Sequence, residues 1–401
     1  MFSRYFGCRA SRGLVVHSQS LLAGLSRYGR RHMDFEFSPE QEALRASVRR
    51  FLDARAPLTW VRERYDDARG TTDEIWQGLA DLGVLGLLVP ERHGGAGMGM
   101  VDAAVVLEEL GRMVHPGPFA SSAIGATGLL VDLDADDSAD LLAELAAGTS
   151  IATVALLEPG RRAAWSDAIT TARTQNGGWV LDGTKVHVPD CADATVLLVS
   201  ARDDEGVLGV FAVEPGTTGV AVEATPTIDG SRKEGTITLA GAPARRVGTD
   251  ASDALAATVD RSGIAAVVEG VGTAGRALEL TVEYATQRRQ FDAPIGSFQA
   301  VQHLCADMLR AVELARAAGY YACWAADDAP ASERRRAATI ALAFATDDLY
   351  GVGASAVQVH GGIGFTWEHD IHLFYKRLLT LQQAGGGSVD QLEELARIII
   401  D

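Results

Sequence analysis

Apolar residues recur along this chain with two different periods, and the period changes twice. In FSPEQEALRASVRRFLDA, Leu44, Val48, Phe51 and Leu52 fall on one face of a helix. Ser38 can cap it, Pro39 suits its first turn, and Gln41 stands three residues after Ser38 as in a capping box. A second helix is expected over 73–83, ending near Gly83, and a third over 100–113. The glycine-rich run before Met100 reads as a loop. Near residue 151 the runs shorten. SIATVALLE, GWVLDGTKVHV, ATVLLVSA, VLGVFAVEP and GTITLAG are β-branched and separated by Gly, Pro and Asp. They predict an antiparallel β unit, a small barrel or sandwich, ending near Gly248. From Ala251 helical spacing returns in three long runs, with Val301, Leu304, Met308 and Val312 on one face of the second, and VDQLEELARIII closes the chain. The expected fold is α+β, mainly α. It has an N-terminal helical domain over 33–150, a middle β-barrel or sandwich domain over 151–248, and a C-terminal four-helix bundle over 249–401.

One stretch disturbs this pattern. QVHGGIGFTW places Gly361, Gly362 and Gly364 where both flanks read as helix. Glycine inside a helix costs about 1 kcal/mol against alanine. Some other demand must act there.

Charge and cysteine usage narrow the chemistry. The net charge of −17 over 401 residues argues against nucleic acid and against anionic membranes as partners. An anionic ligand must then be held by local basic groups or backbone N–H groups. No apolar run reaches the roughly 20 residues needed to span a bilayer. Cys8, Cys191, Cys305 and Cys323 show no CxxC spacing, so they read as free thiols and no metal site is expected. Residues 1–32 hold six arginines and no acid. That composition fits a mitochondrial transit peptide, which would place the protein in the matrix, or an upstream extension with the working start at Met33. The lysines, Lys185, Lys233 and Lys376, are far outnumbered by arginine, a bias of GC-rich bacterial genomes. We prefer the extension and a cytoplasmic protein, and set residues 1–32 apart from the fold.

Three stretches make the helix–β–helix order specific: WQGLADLGVLGLLVPERHGGAG, RRQFDAPIGSFQAVQHLCADM and QVHGGIGFTWEHDIHLFYKR. Together they resemble the acyl-CoA dehydrogenase family, over residues 34 to about 390. The resemblance implies FAD, shared at a subunit interface of a dimer or tetramer. It also implies oxidation of the Cα–Cβ bond of an acyl-CoA thioester, with electrons passed on to an electron-transfer acceptor. In the family a carboxylate removes the α-proton and the flavin takes hydride from Cβ. The Arg of the family's R-x-x-F contacts the neighbouring subunit's FAD; here it is Arg288, with Phe291 three residues on. A planar guanidinium suits a pyrophosphate. Ile295 and Gln299 match positions touching the same nucleotide, and Gln358, Gly361 and Gly362 match the Q-x-x-G-G laid along it.

The resemblance fails where the chemistry is done. Most members carry a Glu 27 residues after the Gln of Q-x-x-G-G, which here is Gly385. Others carry the base 29 residues before the Phe of R-x-x-F, which here is Ser262. Neither offers a carboxylate. Asp260 is the nearest acid and a weak candidate, about 200° around the helix from Ser262; Glu269 and Glu368 read as salt-bridge or surface residues. In the flavin-facing strand, His187 and Pro189 replace an aromatic and a threonine, and Leu157 and Trp165 depart from the family pattern around Glu158 and Pro159. The clamp for a neighbour's FAD is kept and the groups for this chain's own flavin are lost. That combination is similar to the base-lacking subunit of actinobacterial heterotetrameric members of the family. Three readings stay open: a non-catalytic subunit completing a partner's site, a self-sufficient dehydrogenase with a displaced base such as Asp260, and a catalytically dead acyl-CoA-binding or scaffold protein.

Overall fold

The computed structural model describes residues 37–134, 138–160 and 165–400. The arginine-rich start and Cys8 lie outside the described residues. The compact unit begins at Pro39, where α1 (Pro39–Arg55) opens. It is followed by α2 (Leu58–Arg64), α3 (Asp73–Asp81) and α4 (Met100–Arg112). The Thr72 side chain caps α3 by accepting from the Ile75 N–H, and Gly83 turns the chain beyond it at φ +75°. Gln41 donates to Asp102 at 2.9 Å, fixing α1 against α4. A π-helical turn over Phe119–Ala126 then leads into α5 (Thr127–Leu133) and α6 (Ala139–Ala147).

The β unit spans β1 (Ala152–Ala155) to β7 (Glu234–Gly248), with β2 (Thr171–Gln175), β3 (Gly178–Pro189), β4 (Val196–Arg202), β5 (Leu208–Val213) and β6 (Val220–Thr225) between. Pairing runs β4–β5–β7–β3–β2 and returns to β4 through Thr171 and Arg202, closing a barrel. The expectation of purely antiparallel pairing is corrected here: β1 runs parallel to β4, with Ala152 opposite Val196. The composition of β4 explains how. Its VLLVSA run is buried on both faces, the signature of a covered strand. Leu197 and Val199 fill the barrel while Leu198 packs with Leu129, Leu130 and Leu142 of the helices outside.

The bundle is α7 (Ser252–Gln287), α8 (Gln299–Asp328), α9 (Ala331–His360), α10 (Ile371–Leu381) and α11 (Ser388–Ile400). One apolar core runs from Leu52 and Leu79 of the first helices to Val268, Val312, Leu342 and Phe374 of the bundle. Contrary to the expectation from run lengths, Ala331–Phe365 is long and apolar enough to cross a membrane; half of that apolar window is buried inside the protein. α9 packs against α7 and α8 as a core helix.

All three regions meet at Arg377, which is fully buried on α10. Its Nε donates to Asp229 Oδ2 at 2.8 Å and its Nη1 to Glu269. Its Nη2 donates to Ser231 O at 2.9 Å and to Val114 O at 3.1 Å. Removing one partner of such a set leaves carboxylates buried without their cation. Arg377→Ala is therefore expected to lose about 3–5 kcal/mol of stability, read as an early unfolding midpoint in denaturant, with Arg377→Lys intermediate because an ammonium cannot reach both carboxylates and the carbonyls together.

Candidate functional site

Two segments of the bundle carry the matched nucleotide-binding positions. The first follows α7. Arg288 leaves the helix with extended backbone, its N–H still bonded to Tyr284 O at 2.8 Å, and its carbonyl accepts the Ile295 N–H at 2.8 Å. Between them lies a tight hairpin, β8 (Arg289–Gln290) and β9 (Ala293–Pro294). Phe291 and Asp292 at its tip hold φ of +50° and +62°. Phe291 is 89% exposed and meets Phe298 edge-on. Among the described residues, the exposed Arg288 side chain makes no hydrogen bond or ion pair. Gln299, which opens α8, is exposed and Ile295 is half-buried.

The second segment ends α9. The helix stops at His360, so the three glycines lie beyond it rather than inside it. Two of them have distinct structural reasons. Gly361 sits at φ +66°, where L side chains are strained. Gly364 is packed so that a Cβ would stand 3.0 Å from Val357 O. Gly362 has neither reason: its φ is not positive and a Cβ there would meet nothing within 4 Å. Gln358 is exposed on the last turn and its side chain is likewise without a partner among the described residues. The two segments, some 70 residues apart in sequence, are brought together where the Tyr284 and His360 rings stack with centroids 4.4 Å apart. The result is an open shelf of free N–H donors and bare backbone that suits an anionic dinucleotide.

Both base positions are exposed, and neither carries a carboxylate. At 385 a Cβ would lie 2.7 Å from Gln391 Nε2 and 3.2 Å from Leu342 Cδ1. The Gln391 amide is held there, its Nε2 donating to Gly385 O at 2.5 Å. Gly385, Gly386 and Gly387 all hold positive φ. A carboxylate side chain at 385 would meet both strain and the Gln391 amide. Asp260 is corrected from candidate base to structural ion pair. It is 2% exposed, accepts from Arg334 at 3.1 Å and Arg335 at 2.8 Å, and lines a cleft of about 540 Å³ with Asp132 and Asp253 on the side of α7 away from Ser262. Glu269 is held by Arg377 and Arg232, and Glu368 is exposed.

The strand that would face a flavin ring is bent away from regular pairing. Its register shifts between Lys185 and Val188, where His187 adopts φ +51° and turns out to Glu234, 3.0 Å from Nδ1. The Pro189 carbonyl is taken by Thr153 Oγ1 at 2.6 Å. Glu158 is a buried crosslink: it accepts from Ile169 N, Thr170 N, Thr170 Oγ1 and Lys185 Nζ at 2.6–2.9 Å. Burial pushes its pKa up, but these donors outweigh it and hold it at about 2.

One buried acid escaped the sequence reading. Asp190 ends the same strand at φ +50°, 3% exposed. Its Oδ2 lies 2.5 Å from Ser121 Oγ, which also lies 3.1 Å from Pro118 O. One hydroxyl proton cannot serve both acceptors. Ionised, Asp190 accepts from Ser121; protonated, it can donate to Ser121 and leave that hydroxyl to donate to Pro118 O. Burial, countered by Ser121 and Arg232, lifts its pKa to about 7.

Comparison with known proteins follows the same outline. The models for the acyl-CoA dehydrogenase N-terminal, middle and C-terminal domains match residues 38–149, 153–240 and 253–400. Acyl-CoA dehydrogenase IpdE2 of Mycolicibacterium smegmatis is 33% identical over 361 residues, covering 89% of this chain and 98% of that protein. The crystal structure of the ChsE4-ChsE5 complex from Mycobacterium tuberculosis is similar with a TM-score of 0.83 at 30% identity, over 92% of this chain and 99% of that one. A variant of the Tcur3481-Tcur3483 steroid ACAD gives a TM-score of 0.82 at 32% identity, over 90% and 98%.

The Asp190 geometry has a measurable consequence. A carboxyl whose folded pKa is raised from 3.8 to about 7 imposes no penalty below pH 4 and weakens the fold as pH rises through 7. Asp190→Asn, which keeps the donor to Ser121 and tolerates positive φ, is expected to unfold several degrees later than the parent at pH 8, with the gap closing toward pH 4.

Proposed function

We propose, for a chain that belongs to the acyl-CoA dehydrogenase family, that it serves the α,β-dehydrogenation of an acyl-CoA thioester as a non-catalytic subunit completing the FAD site of a homologous partner. One observation carries this reading. The nucleotide shelf is open and its donors unpaired, while neither base position carries a carboxylate: 262 is an exposed serine, and 385 is an exposed glycine with the Gln391 amide against it.

FAD, which solved structures of this fold hold, supplies the hydride acceptor when bound. This chain's residues do the holding. Arg288 donates to the pyrophosphate from a side chain with no competing carboxylate. Gly361 and Gly362 let the backbone approach without a Cβ in the way. Gln358 and Gln299 offer amides, and Phe291 and Ile295 cover the nucleotide's apolar faces. A base must then come from the partner, since neither position 262 nor position 385 provides one here.

The surface supports a partner. Among the described residues, the exposed Phe and Trp side chains are Phe291, Phe298, Phe365 and Trp367, and all four lie in the two shelf segments. Exposed aromatics gathered on one patch mark an interface. The pairing in the ChsE4-ChsE5 complex and the steroid ACAD relative favour a homologous subunit and a steroid-derived acyl-CoA; an electron-transfer acceptor completes the reaction. The reading of a dehydrogenase self-sufficient through Asp260 loses its support in the Arg334–Arg335 pairing, and a scaffold that never meets FAD leaves Arg288 and Gly362 without a purpose.

Expressed alone, the chain should carry little flavin and turn over no acyl-CoA; robust turnover would overturn the reading. In the assembled complex, Arg288→Ala should weaken FAD about ten- to a hundredfold, the worth of one charged hydrogen-bond set, measured by flavin fluorescence on titration.

A further inference from the structure

The shelf has two halves, and something must hold them in register. Arg288 and Phe291 follow α7; Gln358, Gly361 and Gly362 end α9. His360 stands between the helix and the glycines and is 3% exposed. Its ring stacks on Tyr284 at 4.4 Å with planes 23° apart, and His369 stands beside the pair, 4.5 Å from His360 and 6.2 Å from Tyr284. Tyr284 lies one helical turn before Arg288 and its carbonyl accepts the Arg288 N–H. The same residue therefore touches both halves.

The protonation state of His360 follows from its bonds. Nδ1 lies 2.7 Å from Ala356 O. A carbonyl only accepts, so Nδ1 carries the proton. Nε2 is buried with no partner, so the neutral ring leaves a bare acceptor. Burial lowers the pKa, and of the weaker influences the Ala356 bond opposes this while His369 adds to it. A buried ring held neutral, with one nitrogen unsatisfied, is a costly choice for packing alone; leucine would fill the same space without an orphan. What a flat ring adds is a stacking partner that fixes the distance between α7's end and the glycine turn.

We infer that Tyr284 and His360 are positioning residues for the shared dinucleotide, holding Arg288 and the Gly361–Gly362 turn at the spacing the ligand requires. This rests on the reading of the shelf as an FAD clamp. The stack, not the hydrogen bond, carries the function.

Two substitutions separate stack from bond. His360→Phe keeps a flat ring and loses the Nδ1 donor; His360→Gln keeps a donor and loses the ring. In the complex with its homologous partner, FAD affinity should stay within about twofold of the parent for His360→Phe and fall about tenfold or more for His360→Gln and for Tyr284→Leu. Subunit assembly and unfolding midpoint are read beside it, because a merely structural role would move the midpoint and leave FAD affinity in the folded complex unchanged. FAD affinity equal to the parent's in folded His360→Gln and Tyr284→Leu complexes, or a loss in His360→Phe as large as in His360→Gln, would overturn the inference. Arg288→Ala distinguishes the two levels: if it too leaves FAD affinity unchanged, the clamp reading itself fails; if it alone weakens FAD, only the positioning role does.

Discussion

A single guanidinium in the interior fixes how the three regions of this chain sit together. Arg377 comes from α10, its carboxylates come from the β6–β7 loop and from α7, and its carbonyl acceptors come from that loop and from the end of the N-terminal helices. A buried arginine must satisfy its donors or unfold its surroundings, so each region is located relative to the other two. The same arrangement uses up Glu269, the carboxylate of the bundle that also reaches Arg232. Glu269 is thereby committed to holding the fold together.

From that frame the contrast between the two ends of the bundle follows. Where α7 and α9 finish, the Arg288 and Gln358 side chains reach outward without a partner among the described residues, beside the exposed Phe291, Phe298, Phe365 and Trp367. Where α7 passes the loop after α10, Ser262 and Gly385 are exposed and carry no acid, and the Gln391 amide and Leu342 crowd the place of a side chain at 385. Position 385 lies in three consecutive positive-φ glycines, and Gln391 bonds back to its carbonyl. On the proposed reading, the chain lends a binding surface and does no proton chemistry of its own.

Much of this was legible in the sequence, for identifiable reasons. Helical faces such as Leu44, Val48 and Leu52 showed because periodicity reports burial directly. The shelf showed because its residues are few, polar or glycine, and strictly spaced. The missing base showed because serine and glycine cannot ionise to a carboxylate. The parallel pairing of β1 with β4 did not show, since an apolar run carries no sign of its partner's direction. The π-helical turn was hidden because FASSAIGA has small residues and no period. Nothing in the sequence places Leu342 and Gln391 beside Gly385; only three dimensions do. The burial of Asp190 beside Ser121 depends on a contact 69 residues away. His360 was in plain view inside QVHGG, but its role needs Tyr284, far away in sequence.

The central claim, that this chain holds a neighbour's dinucleotide and none of its own, is most directly tested by the flavin stoichiometry of the purified complex with its homologous partner. Absorbance of released FAD against subunit concentration gives the ratio without reference to turnover or substrate. One FAD for each pair of unlike subunits is the expected result. One FAD for every subunit would contradict it, because a flavin pocket would then exist in this chain where the strand around His187 and Pro189 offers none.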